Sequence, residues 1–301
     1  MYTEIIFTFL ISAVLTLLLK WIIQKSGGSL YTTIRGGTPR AVGIAPFIAM
    51  VIFLPIPYNY LIAIIGIFAL FDDIIGRKKI KNISIEIGQI SRGIGMLLVI
   101  AVGYYYLGPV SILIGLMIQP LNIADMQPGA ACSTIITMCF IVIVSMILAG
   151  FNGLIVPLII LAACIGYAPL DYKGKVMMGE VGNHSFAVGL GIAYAILGGA
   201  LGMYYGIGYI YGSFFVTLAL FLITVLVIAF IRRGTLKIFL EKKLGIENPH
   251  YFDYVMDVLT GGGLGDLLRR ILIGKRDIVV KRNIFKVLGF RRLFYNPYAE
   301  N

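Results

Sequence analysis

The sequence carries little charge and few of the residues that bind transition metals. Of its 301 residues, 13% are Asp, Glu, Lys or Arg, whereas 59% are hydrophobic, and there are two histidines and three cysteines. A soluble domain has about 25% charged and about 45–50% apolar residues. The composition therefore excludes an ordinary soluble fold and indicates segments that face lipid.

Cysteine chemistry is not indicated. Cys132, Cys139 and Cys164 lie in apolar stretches, with no C-x-x-C pair and no histidine nearby. Neither a zinc site nor a disulfide framework is predicted, and we expect three small buried side chains. The first apolar stretch has no basic segment ahead of it and no small-residue cleavage site, so we interpret it as a membrane helix and not as a cleaved signal.

Apolar runs that approach the length needed to cross a bilayer, about 17–25 residues, recur along the chain. They are Glu4–Gln24, Ala41–Ile56, Tyr58–Phe71, Gln89–Leu107, Pro109–Asn122, Cys132–Ala149, Phe151–Ala168, His184–Gly206 and Tyr209–Ile231. Tyr58–Phe71 and Pro109–Asn122 are short for a full span. The predicted fold class is all-α, a polytopic membrane helix bundle with about nine to ten transmembrane helices.

The basic residues predict the orientation of the bundle. All 25 Lys and Arg lie in or beside the segments 25–40, 72–88, 123–131, 169–183 and 232–301. With the N-terminus outside, these segments share the cytoplasmic side, as the positive-inside rule requires. We therefore expect a multi-pass plasma-membrane protein with a cytoplasmic C-terminus. The same rule explains the net charge of +11, so nucleic acid is not an expected partner.

The C-terminal region differs in character from the rest. We divide the chain into a transmembrane catalytic domain, 1–231, and a basic cytoplasmic tail, 232–301. Apolar residues of the tail repeat at helical spacing opposite charged ones, which predicts an amphipathic helix lying on the membrane surface. The apolar set is Leu264, Leu267, Leu268, Ile271 and Leu272, and the charged set is Asp266, Arg269 and Arg270.

Acidic residues gather at the predicted inner ends of the helices. They are Asp72, Asp73, Asp125, Asp171 and Glu180. Each has a plain alternative interpretation as a solvated helix end, a helix cap or an interfacial residue. Taken together at one depth, carboxylates without a Cys- or His-rich spacing suit a hard cation such as Mg²⁺. We predict that Glu180 holds this ion together with Asp125 or Asp73.

Three segments on the same face are suited to bind phosphate, and one of them is the loop 169–183, which offers Lys173 and Lys175. In the loop 25–40, the glycines of Arg35-Gly-Gly-Thr-Pro-Arg40 allow backbone amides to approach an anion, and the two arginines bracket them. The loop 72–88 offers Lys78 among other basic residues. A glycine-rich turn is often only a turn, so none of these patterns is decisive by itself.

Four motifs in order carry a resemblance to a known family. The chain reads GGTPRAVGI from Gly36, FALFDDIIGRKK from Phe68, NIADMQPGA from Asn122 and KVMMGEVGNHSFAVGLG from Lys175. This order resembles the polyprenyl-phosphate N-acetylhexosamine-1-phosphate transferases, which include the phospho-N-acetylmuramoyl-pentapeptide transferases. The resemblance covers about residues 30–195. It suggests a divergent branch, such as those beside alternative cell-wall polymers, including archaeal pseudomurein.

The resemblance implies roles for residues that match the family motifs. Asp72 and Asp73 match adjacent acids, one of them near the lipid phosphate, and Asn122 and Asp125 match N-x-x-D. Glu180 falls where the family has its metal-binding Asp. The remaining matches are Thr38 and Gly43 in the first loop, Asp171 near an Asn that contacts the nucleotide, and His250 where the family has a His-rich loop.

The chain also departs from the family pattern. Pro128 replaces the second acid of the third motif, Met126 replaces a glycine, and Glu180 is one methylene longer than Asp. Only Pro249-His250-Tyr251 remains of the His-rich loop, and the last family span is absent. On the residues alone, His184 and His250 are more typical of polar interfacial positions than of catalysis.

The sequence therefore supports one main hypothesis and two alternatives. The main one is an Mg²⁺-dependent enzyme that transfers an aminosugar 1-phosphate, or its peptide-bearing derivative, from a UDP-sugar type donor to a polyprenyl phosphate. The expected catalytic residues are Asp72, Asp73 and Asp125, the substrate-binding residues are Arg35, Thr38, Arg40, Lys78, Asn122, Asp171 and His250, and the metal ligands are Glu180, Asp125 and Asp73. The alternatives are a degenerate paralogue that binds without turnover, and a membrane transporter. A homodimer is compatible with the sequence, although no spacing decides it.

Overall fold

Long apolar helices make up most of the chain in the computed structural model. The structure describes residues 2–32, 37–75, 87–261, 265, 269, 272–273 and 282–295. Within these residues, seven helices are long and apolar enough to cross a bilayer: Tyr2–Ser26 (α1), Tyr58–Ile75 (α3), Ile87–Leu107 (α4), Ala130–Leu148 (α7), Ile155–Tyr172 (α8), Gly179–Tyr204 (α9) and Tyr209–Ile231 (α10). The predicted all-α architecture with membrane-spanning helices is confirmed at this level.

Shorter elements complete the described part of the chain. The helices are Ile44–Phe53 (α2), Val110–Leu116 (α5), Ile118–Asp125 (α6), Arg233–Leu244 (α11), Tyr251–Thr260 (α12), Asn283–Val287 (α13) and Phe290–Leu293 (α14). Two-residue strands, Tyr31–Thr32 (β1) and Thr38–Pro39 (β2), pair antiparallel. The apolar run Ala41–Ile56 forms only the 10-residue α2, and Pro109–Asn122 is divided between α5 and α6. The predicted number of nine to ten spans therefore stays a prediction.

Helix α9 lies at the centre of the bundle. In its most apolar window, 78% of residues are buried, compared with 17% in α1. Glycines allow the close packing: a Cβ added at Gly202 would meet the backbone of Gly208, just before α10, and of Gly212 within α10. Small residues serve this purpose between membrane helices, where lipid offers no hydrophobic drive for association. Ser12 of α1 also donates a 2.7 Å hydrogen bond to the carbonyl of Ala163 in α8.

Three helices extend past the apolar runs that predict them, and each extension carries acids. Helix α3 continues beyond Phe71 through Asp72 and Asp73, and α9 begins at Gly179, ahead of the expected start at His184. Helix α8 likewise continues through Asp171. The acids therefore sit on rigid helix turns and not in loops.

The chain divides into two compact units, Met1–Phe221 and Leu222–Asn301. This division falls within α10, whereas the sequence-based boundary follows the end of that helix. In the second unit, α12 and α14 are joined by two ion pairs. Of the amphipathic tail helix predicted around 264–272, Leu264, Leu267, Leu268 and Ile271 lie outside the described residues, so that prediction stays open.

One of the two ion pairs between α12 and α14 is buried. Nε of Arg292 lies 2.5 Å from Oδ1 of Asp257, and the two side chains are 2% and 4% exposed. Removing one partner of a buried pair leaves an uncompensated charge, at a cost of about 3–5 kcal/mol. We expect protease to cleave this unit at a lower temperature in Arg292→Met than in the wild type. The double variant Arg292→Met with Asp257→Leu should recover much of the lost stability.

A matched control exists on the surface of α11. Lys237 and Glu241 are 3.9 Å apart and largely exposed, and exposed pairs contribute about 0–1 kcal/mol. Lys237→Met should therefore leave the temperature at which protease cleaves the unit nearly unchanged. If Arg292→Met and Lys237→Met lowered the cleavage temperature by the same amount, the Arg292–Asp257 pair would not stabilise the unit.

Candidate functional site

The two adjacent acids at the end of α3 have different partners. Consecutive helical residues point about 100° apart, so the carboxylates of Asp72 and Asp73 diverge. Oδ2 of Asp72 accepts hydrogen bonds from Nη2 of Arg92 at 2.7 Å and from Nε at 3.2 Å. Oδ2 of Asp73 accepts a 2.9 Å hydrogen bond from the amide of Val181. Their divergence and their separate partners explain how two neighbouring acids are accommodated in the last turns of an apolar helix.

The first loop contributes a second arginine to Asp73. Nε of Arg40 lies 3.7 Å from Oδ1 of Asp73, and Nη2 of Arg40 donates a hydrogen bond to the Asp73 backbone carbonyl. The carboxylate of Asp73 is 1% exposed. A buried carboxylate needs such compensation, because burial without it is costly. Asp73 thus joins the first loop, α3 and the start of α9.

Backbone hydrogen bonds dock the first loop onto the segment before α9. The amide of Met177 donates to the carbonyl of Pro39 at 2.8 Å, and the amide of Val42 donates back to Met177 at 3.2 Å. The amide of Gly43 then donates to the carbonyl of Met178 at 3.0 Å. Thr38, on β2 directly before Pro39, is buried. The docked loop places Arg40 beside the acids.

This docking depends on two glycines that approach each other closely. A Cβ at Gly43 would lie 2.5 Å from the Cα of Gly182, well inside contact distance. We expect Gly43→Ala to displace the loop and to cost about 1–3 kcal/mol, as overpacking does. The measurement is the thermal midpoint of the detergent-solubilised protein.

Gly93, inside α4, is the matched control. A Cβ at Gly93 meets nothing within 4 Å, and alanine favours a helix by about 0.5–1 kcal/mol over glycine. Gly93→Ala should leave the thermal midpoint unchanged or raise it. A midpoint for Gly43→Ala that matches the control would show that the loop does not need the close glycine contact.

The first two turns of α9 carry Glu180 and His184 toward the same cluster. Oε1 of Glu180 lies 3.4 Å from Nη2 of Arg92. Oε2 of Glu180 lies 3.0 Å from Nε2 of His184, close enough for an ion pair when the imidazole is protonated, but not aligned as a hydrogen bond. His184 is fully buried. Within the described residues, its Nδ1 has no hydrogen-bond partner.

Helix α6 adds Asn122 and Asp125, one turn apart. Nδ2 of Asn183 donates a 3.4 Å hydrogen bond to Oδ1 of Asn122. Asp125 is half-buried, and its charge interacts with those of Asp73 and Glu180. The structure therefore brings the predicted residues of the second, third and fourth motifs together.

Asp171 has a structural position at the edge of this cluster. Its Oδ2 accepts a 3.0 Å hydrogen bond from the amide of Gly129, which precedes α7. Ser133 and Tyr172, beside them, are joined by a 2.8 Å hydrogen bond between their hydroxyls. Asp171 thus fixes the chain between α6 and α7, and its predicted contact with a nucleotide stays a prediction.

Three predicted substrate-binding residues remain: Arg35, Lys78 and His250. Arg35 and Lys78 fall outside the described residues. His250 belongs to the second unit, where its backbone amide donates a 2.8 Å hydrogen bond to Oδ2 of Asp253 at the start of α12. That contact caps a helix.

Sequence reasoning missed two residues of the cluster. Arg92 was expected only as a basic residue near a helix end, and His184 only as an interfacial polar residue. A signal for Arg92 was present, because an ionisable residue inside an apolar helix is by default a functional candidate. For His184, its spacing of four residues from Glu180 puts both on one helix face.

The acids differ in their suitability for Mg²⁺. Among the residues that the structure describes, no three His, Cys, Asp and Glu side chains are arranged to hold a metal ion. The oxygens of Glu180 and Asp73 face arginines, a histidine or a backbone amide. Asp125 pairs with no Lys or Arg within the described ranges. Since Mg²⁺ commonly takes only one or two carboxylates and completes its shell with water and substrate phosphates, Asp125 is the acid that fits.

The fold and the position of these charges define a multi-pass helical membrane protein with a cluster of acids and arginines at the ends of several helices. No model of a known protein family matches the chain, and no curated protein matches it. The likeness to the polyprenyl-phosphate transferases is therefore a resemblance carried by the four motifs.

Proposed function

We propose that this protein transfers a sugar 1-phosphate from a nucleotide-activated sugar to a polyprenyl phosphate, with its site on the cytoplasmic face of the plasma membrane. The observation that carries the proposal is the convergence of Arg40, Asp73, Arg92 and Glu180 from four segments far apart in sequence. Such a cluster of opposite charges suits substrates that bring phosphate groups to the membrane boundary. The order of the four motifs supports the same reaction class.

In the proposed reaction, an oxygen of the lipid phosphate attacks the phosphorus that bears the sugar. A new P–O bond forms, the bond between the two donor phosphates breaks, and a nucleoside monophosphate leaves. Positioning and charge neutralisation supply most of the catalysis in phosphoryl transfer. Arg40 would hold a phosphate, and the contacts of Asp72 with Arg92 and of Asp73 with Arg40 would keep both arginines in position.

Mg²⁺, when bound, would neutralise charge that develops on the phosphates. Asp125 would hold it, with the side chain of Asn122 one turn earlier on the same helix. Asn183 orients Asn122 through their hydrogen bond. An aminosugar nucleotide of the UDP-sugar type is the proposed donor.

The test is release of a nucleoside monophosphate by the purified full chain in detergent. Polyprenyl phosphate and a panel of UDP-aminosugars would be supplied with Mg²⁺ or with EDTA. We expect release that requires both the lipid and Mg²⁺ with at least one donor. If the folded protein released no nucleoside monophosphate with any donor, that result would count against the proposed enzymatic activity.

A degenerate paralogue is the second candidate, and one observation favours it. Glu180, at the position of the family's metal ligand, is paired with Arg92 and His184. A protein that binds a polyprenyl phosphate without turnover would show saturable binding of the lipid and no nucleotide release. A transporter is less favoured, because the charged residues of the cluster lie near helix ends and not at the middle of long helices.

A further inference from the structure

A single guanidinium lies between two acids that come from different helices. Arg92, in the second turn of α4, contacts Asp72 of α3 through two hydrogen bonds and lies 3.4 Å from Glu180 of α9. The arginine side chain is 24% exposed and that of Asp72 is 10% exposed. The three groups are therefore shielded from water, and their charges interact strongly.

We infer that the guanidinium of Arg92, and not a metal ion, is the cation that joins Asp72 to Glu180. Arg92 is then a positioning residue that fixes the start of α9 against the end of α3. The inference deepens the proposed function, and its consequence for catalysis rests on that function. Its consequence for metal binding does not.

The geometry of the donors supports this assignment. A guanidinium presents five N–H groups in a rigid plane, so one arginine can serve two carboxylates at once. Its fork onto Oδ2 of Asp72 uses Nε and Nη2, and Nη2 also faces Oε1 of Glu180. Mg²⁺ bound between the same two acids would require oxygens about 2.0–2.1 Å from the ion, which the guanidinium prevents.

The remaining oxygen of Glu180 is directed to a ring nitrogen of the protein. Oε2 faces Nε2 of the fully buried His184. Both oxygens of Glu180 thus face nitrogen atoms of the protein. This leaves Asp125 as the acid for a divalent ion, separate from the Asp72–Arg92–Glu180 bridge.

The bridge can be tested by metal binding without any assay of activity. Removing the guanidinium by Arg92→Ala leaves two carboxylates facing each other, which is a potential site for a divalent ion. We expect Mn²⁺ to raise the thermal midpoint of Arg92→Ala by several degrees more than that of the wild type. Arg92→Ala with Glu180→Gln should lose this gain, because one of the two acids has been neutralised. An equal Mn²⁺ shift in all three proteins would overturn the inference.

A variant that keeps the arginine covers the case in which Arg92→Ala does not fold. If Arg92 bridges the acids, Glu180→Gln should lower the thermal midpoint by the same amount in EDTA and in Mn²⁺. If a metal ion bridged them, Glu180→Gln would differ from the wild type in Mn²⁺ alone. That second outcome would contradict the inference.

Transfer activity gives an independent readout of the positioning role. Arg92→Lys keeps the charge but loses the fork, so we expect kcat to fall about tenfold or more while the KM for the nucleotide sugar changes little. An Arg92→Lys enzyme with wild-type kcat would show that the fork is not needed. Failure of every protein to transfer would refute the proposed function and would leave the Mn²⁺ result standing.

Discussion

Asp125→Asn is expected to lower the rate of sugar-phosphate transfer by about 100-fold or more, which corresponds to the several kcal/mol that a bound metal ion contributes to a phosphoryl transition state. Asp125 interacts with the charges of Asp73, Glu180 and Asp171. Within the described residues, no Lys or Arg pairs with it. Asparagine keeps its shape and removes the charge that would attract Mg²⁺. The rate should recover in part at high Mg²⁺ concentration.

The same substitution should not destabilise the protein. Burial and the nearby charges of Asp171, Glu180 and Asp73 disfavour the ionised form of Asp125, so the thermal midpoint of Asp125→Asn in EDTA should stay the same or rise. Glu241→Gln, a carboxylate-to-amide change at a partly exposed position on α11, is the control for transfer and should retain wild-type rates. A fully active Asp125→Asn enzyme with unchanged Mg²⁺ dependence would remove Asp125 from the metal site.

Asp73→Asn should have the opposite effect on stability and an effect of similar size on transfer. Asp73 accepts a charge-assisted hydrogen bond from Val181 and faces Arg40. Asparagine leaves Arg40 without its anionic partner, which should cost about 1–3 kcal/mol. Because Asp73 holds both the first loop and the start of α9, we expect a lower thermal midpoint and transfer reduced by about 100-fold.

The contrast between the two substitutions separates their roles. Both change Asp to Asn in the same cluster, yet one should leave the thermal midpoint in EDTA unchanged or raise it, and the other should lower it. Restoring the midpoint of Asp73→Asn with a stabilising lipid should not restore transfer if Arg40 is misplaced. A stable Asp73→Asn protein with normal transfer would mean that the docking of the first loop does not support the site.

The helices of the bundle could be predicted from the sequence because lipid imposes a simple constraint. Every backbone polar group must be satisfied inside the helix, so runs of about 20 apolar residues mark the spans. The predicted run Tyr209–Ile231 coincides with α10, and Gln89–Leu107 begins only two residues after the start of α4.

The end of α3 and the start of α9, which carry the acids, could not be predicted in this way. Asp72 and Asp73 interrupt the apolar run of α3, so hydropathy ends that helix at Phe71. The helix continues because Arg92 and Arg40 compensate the acids, and both partners are distant in sequence. For the same reason, hydropathy leaves Glu180 in a loop, although it belongs to the first turn of α9.

The motifs predicted which acids lie near one another, but not which groups they pair with. Three of the four motifs contain the acids that were expected to gather, and the structure brings Asp73, Asp125 and Glu180 near one another. The sequence could not show that Glu180 pairs with Arg92 and His184, since that depends on how α4 packs beside α3 and α9. Nor could it show that the carboxylate of Asp171 accepts a hydrogen bond from the amide of Gly129, just before α7.

The most direct test follows the phosphorus atom of the donor. With a UDP-aminosugar labelled in the phosphate next to the sugar, and polyprenyl phosphate as acceptor, the proposed reaction places the label in the lipid product and leaves unlabelled nucleoside monophosphate. Label that stays with the nucleotide while the sugar moves to the lipid would show a different class of glycosyl transfer. A lipid fraction that gains neither sugar nor label with any donor would contradict the proposed function.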